Sequence, residues 1–364
     1  MTPEQQFDTA LQAAEPPLAL APMQDVTHLP FWRIMARYGG VDLFFTEYMR
    51  VHSVSQPERW IVESITKNPT GRPVIAQIIG NDIPSILRTL PLLRALPIAA
   101  VDLNLGCPAP VVYKKCAGGG LLRDLPLVDR LLGAMRDAIP GRFTVKTRIG
   151  FDDPVTDALV PLLQKHRPDL VTVHGRTVLE MYRGGIHYDH IRDIAAALPC
   201  PVLANGNVSS PHMADETLRL TGARGLMIGR GAIRNPWLFQ QIRAHRSGQP
   251  IRLPTGRDVL AYIAALWEET WHDQSVEAGH VQSMKRYLNF IGAGITGDGE
   301  FLHRIRRTGT RQGFFGICQE YLDHSDPMTL EPPAGLVLTG ACGTSHEAQP
   351  DLGKLARTKI LQPS

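Results

Sequence analysis

The feature that most constrains this chain is an eightfold alternation. Short apolar runs recur at Leu18–Pro22, Asp42–Glu47, Pro73–Ile79, Ala99–Asn104, Phe143–Arg148, Leu170–His174, Pro201–Asn205 and Gly225–Gly229. Each is rich in Val, Ile, Leu or Ala and ends in a polar or glycine-containing turn. Near-continuous apolar runs of this length fit parallel strands buried on both faces. Between them lie amphipathic stretches: Pro30–Tyr38, Ile83–Leu96, Leu125–Ala138, Pro154–His166, Tyr188–Leu198 and Ser210–Leu220. Asn81 and Asp82 stand as N-caps before the second, with Pro84 in its first turn. A strand–helix unit repeated eight times reads as an α/β protein of (β/α)8 TIM-barrel type. An open doubly wound sheet would want a Gly-rich turn after its first strand, and Ala21-Pro-Met-Gln-Asp25 is not one.

The barrel spans 18–246 and is expected to be catalytic. Residues 1–17 read as an N-terminal extension and 247–257 as a linker, with 258–330 as a small helical domain and 331–364 as a disordered, Gly/Pro/Thr-rich tail. The helical domain is expected to hold two or three helices, such as Val259–Trp271 and Glu277–Ile291.

In a barrel the C-terminal ends of all strands open on one rim, where active sites sit. Here those ends carry Met23-Gln24, Glu47, Gln77, Asn104 with Cys107, Lys146 with Arg148, His174 with Arg176, Asn205-Gly-Asn207 and Gly229-Arg-Gly231. Lys146 and Arg148 alternate along one strand, so both point inward at the mouth. Two desolvated cations need either an anionic ligand or partners such as Glu47 and Asp102. At the last two strands, Asn205–Asn207 and Gly229–Gly231 are placed where barrels hold a phosphate on backbone N–H groups, and Arg230 can add a charge-assisted contact. With Gln77 and Lys146 these outline a flat, phosphorylated cofactor across the mouth, a description FMN fits.

Cys107 lies between Gly106 and Pro108 in a loop over that mouth. A lone cysteine is usually a small buried hydrophobe, but this loop is rigid and sits on the functional rim. Its thiol could serve as nucleophile, metal ligand or proton donor. A nucleophile would want His174 as its base, whereas a flavin beneath the loop favours the acid role.

The chain resembles the tRNA-dihydrouridine synthase family. The resemblance rests on Leu20-Ala-Pro-Met23, Thr46-Glu47, Gln77, Asn104-Leu-Gly-Cys-Pro-Ala109, Gly118-Gly-Gly-Leu-Leu122, Val145-Lys-Thr-Arg148, Val173-His-Gly-Arg-Thr177, Asn205-Gly206 and Ile228-Gly-Arg-Gly-Ala232, in family order across the barrel. It implies an FMN-dependent oxidoreductase acting on the C5–C6 bond of uridine in the tRNA D-loop, with NADPH or NADH as reductant. Pro22, Met23, Gln24, Gln77, Lys146 and His174 would hold the flavin ring and ribityl chain. Asn205, Gly206, Asn207, Gly229 and Arg230 would hold its phosphate end. Asn104, Arg148 and Tyr182 would position the uracil, and Cys107 would protonate C5 as flavin hydride reaches C6. Two positions depart from the common pattern: Asn207 where Asp or Glu is usual, assigned a backbone role, and His187-Tyr188 where tryptophan is commoner. Thr46-Glu-Tyr-Met-Arg-Val51 is closest to the C-type subgroup that modifies position 16.

Residues 251–330 hold eight Lys/Arg against ten Asp/Glu, so the helical domain is not basic overall. Its cations are concentrated, however, at Lys285, Arg286, Arg304, Arg306, Arg307 and Arg311, an arrangement suited to tRNA phosphates. A dihydroorotate-dehydrogenase-type FMN reductase of a small molecule lacks a use for this region. A non-catalytic tRNA-binding barrel lacks a use for Cys107 and Lys146.

The five cysteines (107, 116, 200, 318, 342) form no C-x-x-C pair and suggest neither a disulfide framework nor a zinc site. No leader-like apolar stretch opens the chain, and no run approaches the ~20 apolar residues of a membrane span. A cytoplasmic monomer without metal or membrane contact is expected.

Overall fold

The computed structural model describes residues 1–272 and 275–331. Its strands are β1 (Leu18–Leu20), β2 (Leu43–Phe45), β3 (Val74–Ile79), β4 (Ala100–Leu105), β5 (Phe143–Arg148), β6 (Leu170–His174), β7 (Val202–Asn205) and β8 (Gly225–Ile228). All neighbours pair in parallel, β2 with β3 on one side and β1 on the other, and β1 closes the ring on β8 through Leu18–Leu226, Ala19–Met227 and Leu20–Ile228. A two-residue strand, Met49–Arg50, lies outside the ring against Ile78 and Ile79. The strands fall within a residue or two of the apolar runs, as strands buried on both faces read as near-continuous apolar segments.

The N-terminal extension is a helix, Pro3–Gln12, that the hydrophobic alternation did not reveal. Its start is a capping box: the Thr2 side chain accepts from Gln5 N, and Gln5 Oε1 accepts from Thr2 N, with Pro3 in the first turn. Phe7 and Leu11 pack onto Ala19, Leu43, Phe45, Ile75, Leu170, Leu203 and Met227, the inward residues at the N-terminal end of the barrel. Arg142 ties the helix down through Asp8. The bottom is thereby sealed, which leaves the opposite rim as the open end.

After β8 come a short helix, Arg230–Arg234, and a longer one, Leu238–Arg246. Four further helices follow among the described residues: Gly256–Thr270, Glu277–Ile291, Glu300–Arg307 and Arg311–Leu322. That exceeds the two or three expected, because Gly292, Gly294, Gly297 and Gly299 break the chain, and Thr310 caps a new start on Gly313 N. These helices are docked on the barrel. Tyr262 donates to the Ile233 carbonyl at 2.8 Å, and Tyr287 donates to Val26 O at 3.0 Å in the β1 loop. Tyr38 and Trp237 pack edge-on to each other and to Tyr262. Of the expected disordered tail, residues 332–364 lie outside the described residues. No described helix is long and apolar enough to cross a membrane.

Phe7 is 1% exposed, so Phe7→Ala should lower stability by about 3–5 kcal/mol. Urea unfolding would measure it; a loss below about 1 kcal/mol would mean that the helix is not part of the barrel's core.

Candidate active site

Strand register carries the expected site residues to one rim. Gln77 lies beside Asp102, Asn104 beside Lys146, Arg148 beside His174, and His174 beside Asn205. Side chains bind the first of these into a network. Gln77 Nε2 donates to Asp102 Oδ2 at 2.8 Å, and Thr144 donates to Asp102 Oδ1 at 2.6 Å. Asn104 Nδ2 donates to Gln77 Oε1 at 2.8 Å. Asp102 is fully buried, and burial pushes its carboxyl up to about 6 against the pull of these bonds.

The Cys107 loop hangs from this network. Asn104 Oδ1 accepts from Gly106 N and Cys107 N, both at 2.9 Å, and Gly119 N donates to Cys107 O at 3.1 Å. Glycine is required at 119: a Cβ there would lie 2.5 Å from Val178 and 2.9 Å from the Cys107 carbonyl. Arg148, 2% exposed, spends its guanidinium on carbonyls, donating to Gly106 O at 2.9 Å and to Thr177 O and Met181 O at 2.8 Å. It clamps the Cys107 loop to the loop bearing Tyr182. Asn104 and Arg148 therefore hold the Cys107 loop and the loop bearing Tyr182, a role that sequence spacing alone does not distinguish from direct contact with a ligand. Burial raises the Cys107 thiol above its ordinary range, so the sulfur is protonated at neutral pH.

The second half of the site is cationic. Lys146 forms no ion pair among the described residues; Asp102 attracts it, but Gln77 and Thr144 occupy that carboxylate. Burial, reinforced by the charge of Arg148, brings the Lys146 ammonium down to about 8. Glu47 does not pair with it either. Its Oε1 accepts from Val26 N at 3.0 Å, and burial pushes its carboxyl up to about 8. His174 is 6% exposed, and burial among Arg148, Lys146, Arg176 and Arg230 holds its imidazole well below the usual range. The Tyr182 ring sits between two cations, 5.6 Å from the Arg148 guanidinium and 5.0 Å from that of Arg230.

Arg230 also donates to Asn207 Oδ1 at 3.0 Å, so Asn207 contributes its side chain as well as its backbone. Asn205 Nδ2 donates to Met227 O at 2.8 Å. Gly206 adopts φ +138°, where a Cβ would strike Ile186 at 2.5 Å. Two buried acceptor-capable atoms near the mouth lack any protein partner among the described residues: Gln24 Oε1, beside Pro22 and Met23, and His174 Nδ1. Polar atoms so buried ordinarily have partners. Together with the half-buried charge of Lys146, which forms no ion pair among the described residues, these atoms suit a polar, anionic ligand.

The six cations expected at the tRNA surface differ in how they are engaged. Lys285 is buried, and its Nζ donates to Arg306 O at 3.0 Å, joining two helices. Arg304 is held by both oxygens of Glu320, at 2.5 and 2.7 Å, a partner sixteen residues away that local sequence does not show. Arg311 reaches Glu268 at 3.2 Å and lies over Trp267. Arg286 is 3.5 Å from Asp25 at the barrel rim. Arg306 and Arg307 are exposed, and Arg306 bonds Asn289. One residue against the thiol was not among the expected site residues: Tyr48, directly after Glu47, packs beside Cys107. Its position at the exit of a barrel strand was the available signal.

The sequence profile described as dihydrouridine synthase matches residues 19–314. A probable tRNA-dihydrouridine synthase of Helicobacter pylori (strain ATCC 700392 / 26695) is 36% identical over 236 residues, covering 64% of this chain and 72% of that protein. One from Rickettsia prowazekii is 31% identical over 288 residues, covering 78% and 87%. The tRNA-dihydrouridine synthase B of Pseudomonas putida is 34% identical over 260 residues, covering 68% and 76%. This relative carries the B letter, not the C type suggested by Thr46–Val51. A solved histamine dehydrogenase from Rhizobium sp. 4-9 superposes with a TM-score of 0.52 at 12% identity, covering 88% of this chain and 65% of that one. That likeness concerns the fold alone.

Proposed function

This chain belongs to the dihydrouridine synthase family, and we propose that it reduces the C5–C6 bond of a D-loop uridine in tRNA, using bound FMN recharged by NADPH. The observation that carries the chemistry is a protonated thiol, Cys107, held over a mouth where the half-buried Lys146 forms no ion pair among the described residues. Family membership favours tRNA over a small-molecule substrate of the dihydroorotate-dehydrogenase kind.

The residues present fit a flavin. Pro22, Met23 and Gln24 would hold the ring edge, where Gln24 Oε1 can accept from a ligand donor. Gln77, Lys146 and His174 would lie along the ring and ribityl chain, and Asn205, Gly206, Asn207, Gly229 and Arg230 would take the phosphate. A reduced flavin bound there supplies a hydride to the uracil. Lys146, charged below about 8, places positive charge beside that ring.

The chain's own part is proton delivery. Cys107 gives its thiol proton to C5 of the uracil; the S–H electron pair stays on sulfur. Asn104 and Arg148 fix the loop that carries this sulfur, and Tyr182 would flank the base. A flattened, extruded uridine is needed to reach this depth, as for other enzymes that act on a single base. In the helical region, Arg286, Arg306, Arg307 and Arg311 are available to tRNA phosphates, which position the RNA without reading its sequence.

Cys107→Ala should keep its flavin absorbance and its NADPH oxidation while dihydrouridine formation falls about 10²–10⁴-fold. Mass analysis of tRNA nucleosides would measure this, and an undiminished yield would refute the acid role. Arg306→Glu with Arg307→Glu should weaken tRNA binding and flatten its salt dependence, by about 0.7–0.9 in log–log slope for each phosphate no longer neutralised. Lys285→Met should instead lower the melting temperature and leave that slope unchanged. The opposite pattern would place the RNA footprint elsewhere.

A further inference from the structure

Asn104 and Gly119 fix the backbone of Cys107 but not its sulfur, which is still free to turn about one bond. The Ala109 backbone and the Tyr48 side chain both act on that sulfur, and Tyr48 is the side chain among them. It leaves the barrel just after β2 and is 9% exposed. Its ring packs with Ile79 and Val112, and Cys107 packs against this cluster. Tyr48 and the Cys107 thiol influence each other's acidity, as do Tyr48 and the Arg50 side chain. The Arg50 guanidinium, exposed at the rim, lies 5.8 Å from the Tyr48 ring centroid. Gly118, at φ +55°, lets the thiol sit this close: a Cβ there would come within 2.8 Å of Ile79 and 3.0 Å of the Cys107 Cβ.

We propose that Tyr48 is a positioning residue for Cys107, its hydroxyl orienting the thiol into the barrel mouth and donating a hydrogen bond to the sulfur once the proton has left. This rests on the reading of Cys107 as the proton donor. When the thiol proton forms the new C5–H bond, the sulfur becomes a thiolate in a mostly buried setting, where an unpaired charge is costly. A hydroxyl donating to an ionised sulfur makes a charge-assisted bond, stronger than the bond it makes to the neutral thiol. The contact thus strengthens as the proton moves, which is the condition for helping the reaction rather than the ground state. Arg50, behind the hydroxyl, polarises it in the same direction. Burial pushes the Tyr48 phenol up to about 12, so Tyr48 keeps its own proton and the sulfur is recharged from solvent. The groups that act on the sulfur are the Ala109 backbone in its own loop, Tyr48 from the β2 exit, and Arg148 and Lys146 from β5. Arg50 feels it in turn, with Asp25 of the β1 loop and Glu58 on its far side.

The test is Tyr48→Phe in the full-length, flavin-loaded enzyme, a change that removes only the hydroxyl. Turnover of tRNA (kcat) should fall about tenfold with KM little changed, the loss of one charge-assisted bond. The pH midpoint for alkylation of Cys107 by iodoacetamide, followed by peptide mass, should move up by about one unit. An unchanged midpoint, with or without slower turnover, would overturn the proposal, since a purely structural role would not set the acidity of the sulfur. Arg50→Gln, at the exposed end of this chain of groups, should move the midpoint in the same direction by a smaller amount, and keeps the test open if Tyr48→Phe folds poorly. Cys107→Ala, assayed alongside, separates the two claims. Normal product from it would sink the acid role itself, whereas an inactive Cys107→Ala with a wild-type-like Tyr48→Phe would sink only the role of Tyr48.

Discussion

The architecture depends on positive charge that the barrel desolvates without fully neutralising. Lys146 and Arg148 point into one mouth beside Arg230, around an imidazole that is itself kept neutral. Asp102, the carboxyl that attracts Lys146, is engaged by Gln77 and Thr144, and Glu47 is engaged by the β1 loop. Burying charge in this way is destabilising unless a ligand completes the site. On the proposed reading that ligand is the anionic cofactor, and the sealed opposite end of the barrel leaves the rim as its place.

The same network fixes the chemistry above the cavity. One line of hydrogen bonds runs from Asp102 through Gln77 to Asn104 and ends on the Cys107 backbone. Arg148 joins that loop to the one bearing Tyr182. The residues proposed to face cofactor and substrate are therefore one connected structure, and a change in Gln77 or Arg148 should be felt at the sulfur. Burial keeps the thiol protonated, which suits a donor and disfavours the nucleophile that a lone rim cysteine first suggests.

Much of this was legible in the sequence because a parallel barrel has a strong signature. The eight apolar runs had to be strands, and strand ends had to meet at one rim, so Gln77, Lys146, His174 and Asn205 could be brought together although Gln77 and Asn205 stand more than a hundred positions apart. What the sequence hid was pairing across distance. Arg304, Arg306, Arg307 and Arg311 contain no acidic residue among them, yet Glu320 returns on the next helix to neutralise Arg304. Lys285 looks like a surface cation and is instead a buried strut. The Pro3–Gln12 helix was missed because its apolar face is only Phe7 and Leu11, too little to show as a period, although Thr2 and Gln5 mark its start. Asn104 and Arg148 were correctly placed, but their role follows from hydrogen bonds that no spacing encodes.

The central claim is that the cationic rim holds a phosphorylated flavin. Fluorescence titration of flavin-free protein with FMN and with riboflavin tests it most directly, since the two differ only in the phosphate. With charge-assisted contacts from Arg230 and the backbone of the last two strand ends, FMN should bind at least about 100-fold more tightly, and Arg230→Ala should erase most of the difference. Equal affinity for the two flavins would contradict the account.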